Sequence, residues 1–274
     1  MINLTILGAT GSIGKNTLEL VRKSPEKFNV VGLTANKNVK KMIDLVNEFK
    51  PDLVAMADNK SYTKIQKKIK CDVYCGKEGI DFVASNQNSD TVVAGIVGYA
   101  GLSSIMSAID SDKRVLLANK EALVCAGPLL VTKLKKSKAT ILPIDSEHNA
   151  IFQCLGKDYK CFFKPKNLKK IILTASGGPF RTWTKGSMAN ATVKQAISHP
   201  NWKMGEKISV DSATMMNKGL EMIEAHWLFC LKNNEIEVLI HPESIIHSMI
   251  EFSDRSSLAQ LSVPDMKVPI AHGL

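Results

Sequence analysis

The apolar run at residues 2–7 passes directly into Gly8-Ala9-Thr10-Gly11-Ser12-Ile13-Gly14, and this strand-to-helix turn limits the possible folds more than any other feature of the chain. Glycines in such a turn let the backbone bend tightly and let the N–H groups of a helix N-terminus face an anion. The spacing is GxxGxxG rather than GxGxxG. Two readings stay open from spacing alone: a dinucleotide site that uses Gly8, Thr10, Gly11, Ser12 and Ile13, or an ordinary strand-to-helix turn.

The pattern beyond the turn favours the dinucleotide site. Short β-rich runs at 4–7, 30–34, 53–56, 91–94, 115–117 and 140–142 alternate with helical patterns at 13–23, 39–49 and 62–69, which predicts a parallel sheet with helices packed on it. The expected fold class is α/β: a Rossmann-like first domain over 1–146, then an α+β domain over 147–274. At 274 residues and 45% hydrophobic content the chain can build both. In the second domain, 171–174 reads as a strand, 214–229 as a helix, and 245–252 with 258–263 as antiparallel strands. Residues 177–207 carry little periodicity except at 192–197, and a stretch of that length inside a compact domain suits a lid.

The end of the second strand bears on the cofactor. Sites that prefer NADH place an acid near there to bind the ribose hydroxyls, but this chain has Thr34-Ala35-Asn36-Lys37-Asn38. Lys37 suits a 2′-phosphate, and Asn36 and Asn38 can donate hydrogen bonds to it, so NADPH is expected over NADH. The alternative for Asn38 is a helix cap.

Other features exclude function classes. The start lacks the basic and apolar regions of an export signal, and the uncharged stretch at 91–109 carries glycines and serines that suit a strand, a turn and a helix start better than a membrane span. A cytoplasmic protein is expected. Six cysteines without CxxC spacing read as reduced thiols, neither a disulfide framework nor a zinc site. The formal charge of +10 comes from scattered lysines, and the runs at 64–70 and 133–138 interleave with apolar residues at helical spacing. That pattern reads as solvated helix faces rather than a nucleic-acid surface.

Two acidic clusters carry the remaining signal. Asp145-Ser146-Glu147-His148 lies where a strand ends and a helix begins, and as an isolated motif it is better explained by helix capping and a favourable first-turn acid. Asn217, Lys218 and Glu221 share one helix face, open to a surface ion-pair reading, although their neighbours are apolar.

Residues 8–14, Leu117-Ala118-Asn119-Lys120-Glu121, 145–150, Ser176-Gly177-Gly178-Pro179-Phe180, His199-Pro200-Asn201-Trp202 and 209–221 together resemble the 1-deoxy-D-xylulose-5-phosphate reductoisomerases, in order and across essentially the whole chain. The resemblance implies rearrangement of 1-deoxy-D-xylulose 5-phosphate and reduction by NADPH to 2-C-methyl-D-erythritol 4-phosphate, for non-mevalonate isoprenoid synthesis. It implies a retroaldol and realdol carbon shift through an enediolate-like species. It gives Asp145, Glu147 and Glu221 as ligands of one Mg²⁺ or Mn²⁺, an oxygen-rich set that suits a hard cation.

By the same resemblance Lys120 and Ser146 contact substrate near the metal, and Ser176, Ser212, Asn217 and Lys218 hold its phosphate. His199 and Trp202 close over the substrate from the lid, and Gly205 approaches the cofactor. Asn119 and Glu121 flank the cofactor, and the protein is a homodimer. Lys120 and His199 join the three acids as catalytic residues.

Two other readings compete. Another two-domain NADP-dependent oxidoreductase, such as a semialdehyde dehydrogenase, needs a catalytic cysteine in a suitable motif, which none of the six offers. A basic binding protein or inactive remnant is suggested by the charge and by the end at Leu274, since the family is expected to continue into a C-terminal helical domain absent from this sequence.

Overall fold

The protein is described from a computed structural model that covers residues 1–198 and 205–274. It comprises two compact units, Met1–Asp145 with Pro269–Leu274, and Ser146–Val268.

Seven strands build the first unit: β1 (Ile2–Leu7), β2 (Phe28–Ala35), β3 (Leu53–Met56), β4 (Asp72–Cys75), β5 (Thr91–Ala94), β6 (Arg114–Leu117) and β7 (Thr140–Pro143). They pair in the order β4-β3-β2-β1-β5-β6-β7, every pair parallel. The linking helices are α1 (Ser12–Lys23), α2 (Val39–Phe49), α3 (Asn59–Ile65), α4 (Gly76–Ala84), α5 (Leu102–Asp110) and α6 (Lys120–Leu134). Helices on both faces explain why β1 and β5 read as nearly continuous apolar runs: Leu4, Ile6, Leu7, Val92 and Val93 are all fully buried.

The chain leaves β1 for β2 on one side and later returns to β5 on the other. The carboxyl ends of β1 and β5 therefore form the crevice at which open α/β sheets bind ligands. Helix α1 turns Gly14, Thr17, Leu18 and Val21 inward at three- and four-residue spacing. Arg22 near its end forms a bidentate pair with Glu48 of α2, at 2.5 and 2.7 Å. Helix α2 stops at Lys50, which takes a left-handed conformation before Pro51.

The expected parallel sheet is present, with one strand more than the apolar runs of the sequence indicate. That strand, β4, is a four-residue edge strand with no fully buried position. The first unit also takes Pro269–Leu274, which the sequence pattern groups with the second. Ile270 there is fully buried, and a Cβ added at Gly273 would stand 3.0 Å from Ile144 Cγ2 and 3.3 Å from Leu116 Cδ1.

The second unit contains α7 (Ser146–Leu155), β8 (Leu168–Ala175), α8 (Lys185–Met188), α9 (Val193–Ala196), α10 (Glu206–Ala213), α11 (Met216–Phe229), β9 (Ile236–Ile240), β10 (Ile246–Phe252) and β11 (Ser257–Leu261); α12 (Lys267–Gly273) then leads back into the first unit. Its sheet runs β11-β10-β8-β9, with β10 antiparallel to both neighbours and β8 parallel to β9. Helix α7 packs on β10 and β11. The core gathers Ile171, Leu173, Ala225, Leu228, Phe229 and Ile250.

The expected antiparallel pair is β10 with β11. The expected helix at 214–229 instead begins at Met216, because Met215 is left-handed at φ 62° and parts α10 from α11. The stretch read as a lid holds the short α8 and α9, and its last residues already belong to α10.

A Cβ added at Gly14 would lie 2.5 Å from Ala9 Cα and 2.6 Å from the Gly8 carbonyl oxygen, both backbone atoms. Gly14→Ala is expected to lower stability by about 1–3 kcal/mol through overpacking, measured by urea denaturation. Unchanged stability would show that α1 is not held this tightly against the turn.

Candidate active site

In the first unit, the glycine turn is fixed by β2 and β5. Gly8 N donates to Thr34 Oγ1 at 3.0 Å, Ala9 N to the Thr34 carbonyl at 2.8 Å and Gly11 N to the Gly8 carbonyl at 2.9 Å. Gly8 is left-handed, φ 77°, and a Cβ there would stand 2.8 Å from the Gly95 carbonyl oxygen at the end of β5. Gly11 differs: an added Cβ would meet only the Gly8 carbonyl, at 3.2 Å, and the residue is exposed.

Gly11 is also the N-cap of α1, with no side-chain capping bond and no acid in the first turn. The N–H groups of Ser12 and Ile13 thus begin a twelve-residue helix with no acid in its own first turn. Thr10 is half-buried within the same turn.

Asn36, Lys37 and Asn38 are all exposed at the carboxyl end of β2. Asn38 caps α2, accepting from Lys41 N at 3.2 Å, so the capping role holds for its side-chain oxygen. Lys41 lies against Lys15 of α1, and burial followed by that neighbour's charge lowers its pKa. A carboxylate near Lys37, Asp58, caps α3 by accepting from Ser61 N at 2.8 Å and Ser61 Oγ at 2.7 Å.

Residues just past β6 and β7 complete the set in this unit. Lys120, in the first turn of α6, reaches Asp145 Oδ2 at 2.6 Å, and both side chains are largely buried. Asn119 is an internal brace. Its Nδ2 donates to the carbonyls of Ile96 at 2.7 Å and Gly98 at 2.9 Å, and its Oδ1 caps α6 at Ala122 N. Glu121 is half-buried beside it.

In the second unit, Glu147 projects from the first turn of α7 and Glu221 from α11, and the Lys218 ammonium lies between them. Its Nζ donates to Glu147 Oε1 at 3.0 Å and makes closer hydrogen bonds to Glu221 Oε2 and the Thr174 carbonyl at the end of β8. Those three acceptors match the three hydrogens of an ammonium. Burial pushes Lys218 toward neutrality, but the Glu147 and Glu221 charges outweigh it and hold its pKa above the usual lysine value. Asn217 Nδ2 donates to Glu221 Oε1, and Ser146 Oγ to Glu147 Oε2 at 2.6 Å.

Ser176 follows β8 at a glycine turn, where its Oγ accepts from Gly178 N at 3.3 Å. Gly178 is left-handed, and a Cβ there would lie 2.5 Å from the Ser212 carbonyl oxygen, so the close approach brings the Ser176 turn against the end of α10. The left-handed Met215 then redirects the chain so that Asn217 and Lys218 open α11. Gly205 is the exposed N-cap of α10. His199 and Trp202 lie outside the described residues.

Two further neighbours of the cluster carry no role in the sequence reading. His148 and Glu224 are both completely buried beside this cluster, and nothing in their spacing distinguishes them from ordinary helix residues. None of the six cysteines forms a disulfide, and burial pushes the Cys161 thiol far above its usual range.

An open parallel sheet with a glycine turn at its switch point, followed by a smaller mixed unit with paired acids and lysines, defines a dinucleotide-binding class of α/β protein. Family models narrow this: the 1-deoxy-D-xylulose 5-phosphate reductoisomerase model matches residues 4–127, and the C-terminal-domain model of the same reductoisomerase matches 141–229. The protein of that name from Nitrosospira multiformis is 51% identical over 99% of this chain and 70% of its own length. The one from Clostridium acetobutylicum is 49% identical over 100% and 71%.

A crystal structure of DOX-P reductoisomerase in complex with NADPH, fosmidomycin and magnesium superposes with TM-score 0.94 at 49% identity, covering 100% of this chain and 69% of that one. The Zymomonas mobilis enzyme in complex with NADPH gives 0.89 at 43%, covering 99% and 70%. An archaeal homoserine dehydrogenase shares the fold alone, with TM-score 0.57 at 11% identity, over 99% of this chain and 95% of that one. The chain belongs to the 1-deoxy-D-xylulose 5-phosphate reductoisomerase family.

Removing the shared ammonium leaves two acids facing each other with one buried partner lost. Lys218→Met is expected to cost about 3–5 kcal/mol, read by urea denaturation, with part of the loss recovered on adding Mn²⁺. Because the lysine pKa is raised on folding, its contribution is complete at neutral pH and fades only as pH climbs beyond the ordinary lysine range. A variant as stable as the parent, with or without Mn²⁺, would contradict this arrangement.

Proposed function

We propose that this chain binds NADPH and a divalent cation, Mg²⁺ or Mn²⁺, and converts 1-deoxy-D-xylulose 5-phosphate to 2-C-methyl-D-erythritol 4-phosphate. The observation that carries the reading is the buried Glu147–Lys218–Glu221 cluster. Two carboxylates already converge on one positive charge there, and an all-oxygen donor set suits a hard cation. Asp145, two residues before Glu147 along the chain, would be the third ligand. When bound, the cation supplies Lewis acidity and a template for the sugar oxygens, and NADPH supplies the hydride.

The chain's own residues do the rest. Gly8, Thr10, Gly11, Ser12 and Ile13 receive the pyrophosphate. The shape of the turn supports this, because Gly11 has little protein around it that a side chain would strike, so the clearance serves a ligand. Lys37, with Asn36 and the amide of Asn38, faces a 2′-phosphate, and the Lys15–Lys41 contact adds positive charge on the neighbouring helices. Asn119 and Glu121 flank the cofactor, Asn119 also bracing the 96–98 loop, and Gly205 approaches the cofactor.

In the second unit Ser176, Ser212, Asn217 and Lys218 bind the substrate phosphate. Lys120 and Ser146 orient the sugar near the cation, with His199 and Trp202 closing over it to exclude water. A homodimer is proposed through the second unit's sheet, supported by the exposed Leu258 and Leu261 on its edge strand β11. No described helix is long and apolar enough to cross a membrane, and cytoplasmic residence is part of the proposal.

Mixing the chain with 1-deoxy-D-xylulose 5-phosphate, Mg²⁺ and NADPH should consume NADPH. Consumption should stop on chelation with EDTA and fall at least tenfold with NADH, about the effect of losing one charged contact. No consumption with fully folded protein would overturn the reading.

A further inference from the structure

Glu224 is a carboxylate with no exposed surface, one helical turn beyond Glu221 on α11. A buried acid in a helix is costly, and an apolar residue would serve packing better. What it faces is His148, equally buried, whose Nδ1 stands 3.4 Å from Glu224 Oε2. The other ring nitrogen, Nε2, is 2.9 Å from the Glu221 backbone carbonyl. A carbonyl only accepts, so Nε2 carries the hydrogen and donates it. The imidazole lies nearly parallel to the Phe229 ring, 7° between planes and 6.3 Å between centroids.

His148 directly follows Glu147 on α7. The Nε2–Glu221 carbonyl bond therefore ties the backbone that presents one proposed ligand to the helix that presents another, while Glu224 faces the opposite edge of the same ring at 3.4 Å. Metal-binding carboxylates depend on such outer partners, and removing one weakens metal affinity by about 10–100-fold. We propose that Glu224 is a positioning residue that, through His148, fixes the spacing of the Glu147 and Glu221 carboxylates for a divalent cation. This rests on the reading of those two acids as ligands.

The test uses the full chain with Glu224→Gln, which keeps volume and removes charge, and Glu221→Gln as control. Mn²⁺ affinity is followed by electron paramagnetic resonance, NADPH affinity by fluorescence and the His148 ring by ¹⁵N NMR. Glu224→Gln is expected to weaken Mn²⁺ binding about tenfold, shift the His148 Nδ1 resonance and leave NADPH affinity unchanged. Mn²⁺ affinity within about twofold of the parent, while Glu221→Gln loses it, overturns the positioning role alone. An equal loss of NADPH affinity marks a general defect in folding and also overturns it. Unchanged Mn²⁺ binding in Glu221→Gln overturns the ligand reading, and this proposal with it.

Discussion

The Lys218 ammonium directs its three hydrogens to Glu147, Glu221 and the Thr174 carbonyl, and so joins α7, α11 and β8 at one buried point. Without a positive charge there, two acids, one of them fully buried, would repel each other across a medium that screens poorly. With it, the second unit presents carboxylates already oriented around a cation. The close approach of Gly178 to the Ser212 carbonyl sets the Ser176 turn against the end of α10, and the break at Met215 then opens α11, which carries Asn217 and Lys218. A divalent cation that took the ammonium's place would release Lys218 for an anionic group such as a phosphate.

The first unit solves a different problem with backbone alone. Gly8 and Gly14 cannot carry a side chain because protein backbone occupies the space, whereas Gly11 faces outward with little to strike. Two of the three glycines are thus fold requirements, and the third is the one proposed to face the pyrophosphate. Because β1 is flanked by β2 and β5, that room falls at the carboxyl end of the sheet's switch point.

Much of this is legible in the sequence because it depends on periodicity and on local chemistry. The buried strands β1, β2, β3, β5, β6 and β7 announce themselves as apolar runs, and the acids at Glu147 and Glu221 sit in unusual motifs. Less visible are β4 and β9, whose exposed positions dilute any strand pattern, and the break at Met215, where a non-glycine residue adopts a left-handed backbone for reasons set by the tertiary structure. In the sequence Lys218 is open to a surface-pair reading with Glu221 and is given to the substrate phosphate by the family resemblance, and only the structure shows its ammonium buried and shared with Glu147 and Thr174. His148 and Glu224 are 76 positions apart and carry no local signal of their contact. Asn119 is readable as a site residue, but its bracing bonds to Ile96 and Gly98 depend on a long-range approach.

The proposed exchange of an ammonium for a divalent cation at the Glu147–Glu221 pair is tested by anomalous diffraction from crystals of this chain soaked in Mn²⁺. One anomalous peak per chain is expected between the carboxylates of Glu147 and Glu221, with the Lys218 ammonium withdrawn from the position it now holds. A peak elsewhere, or Lys218 still bridging the two acids at saturating Mn²⁺, would refute that exchange.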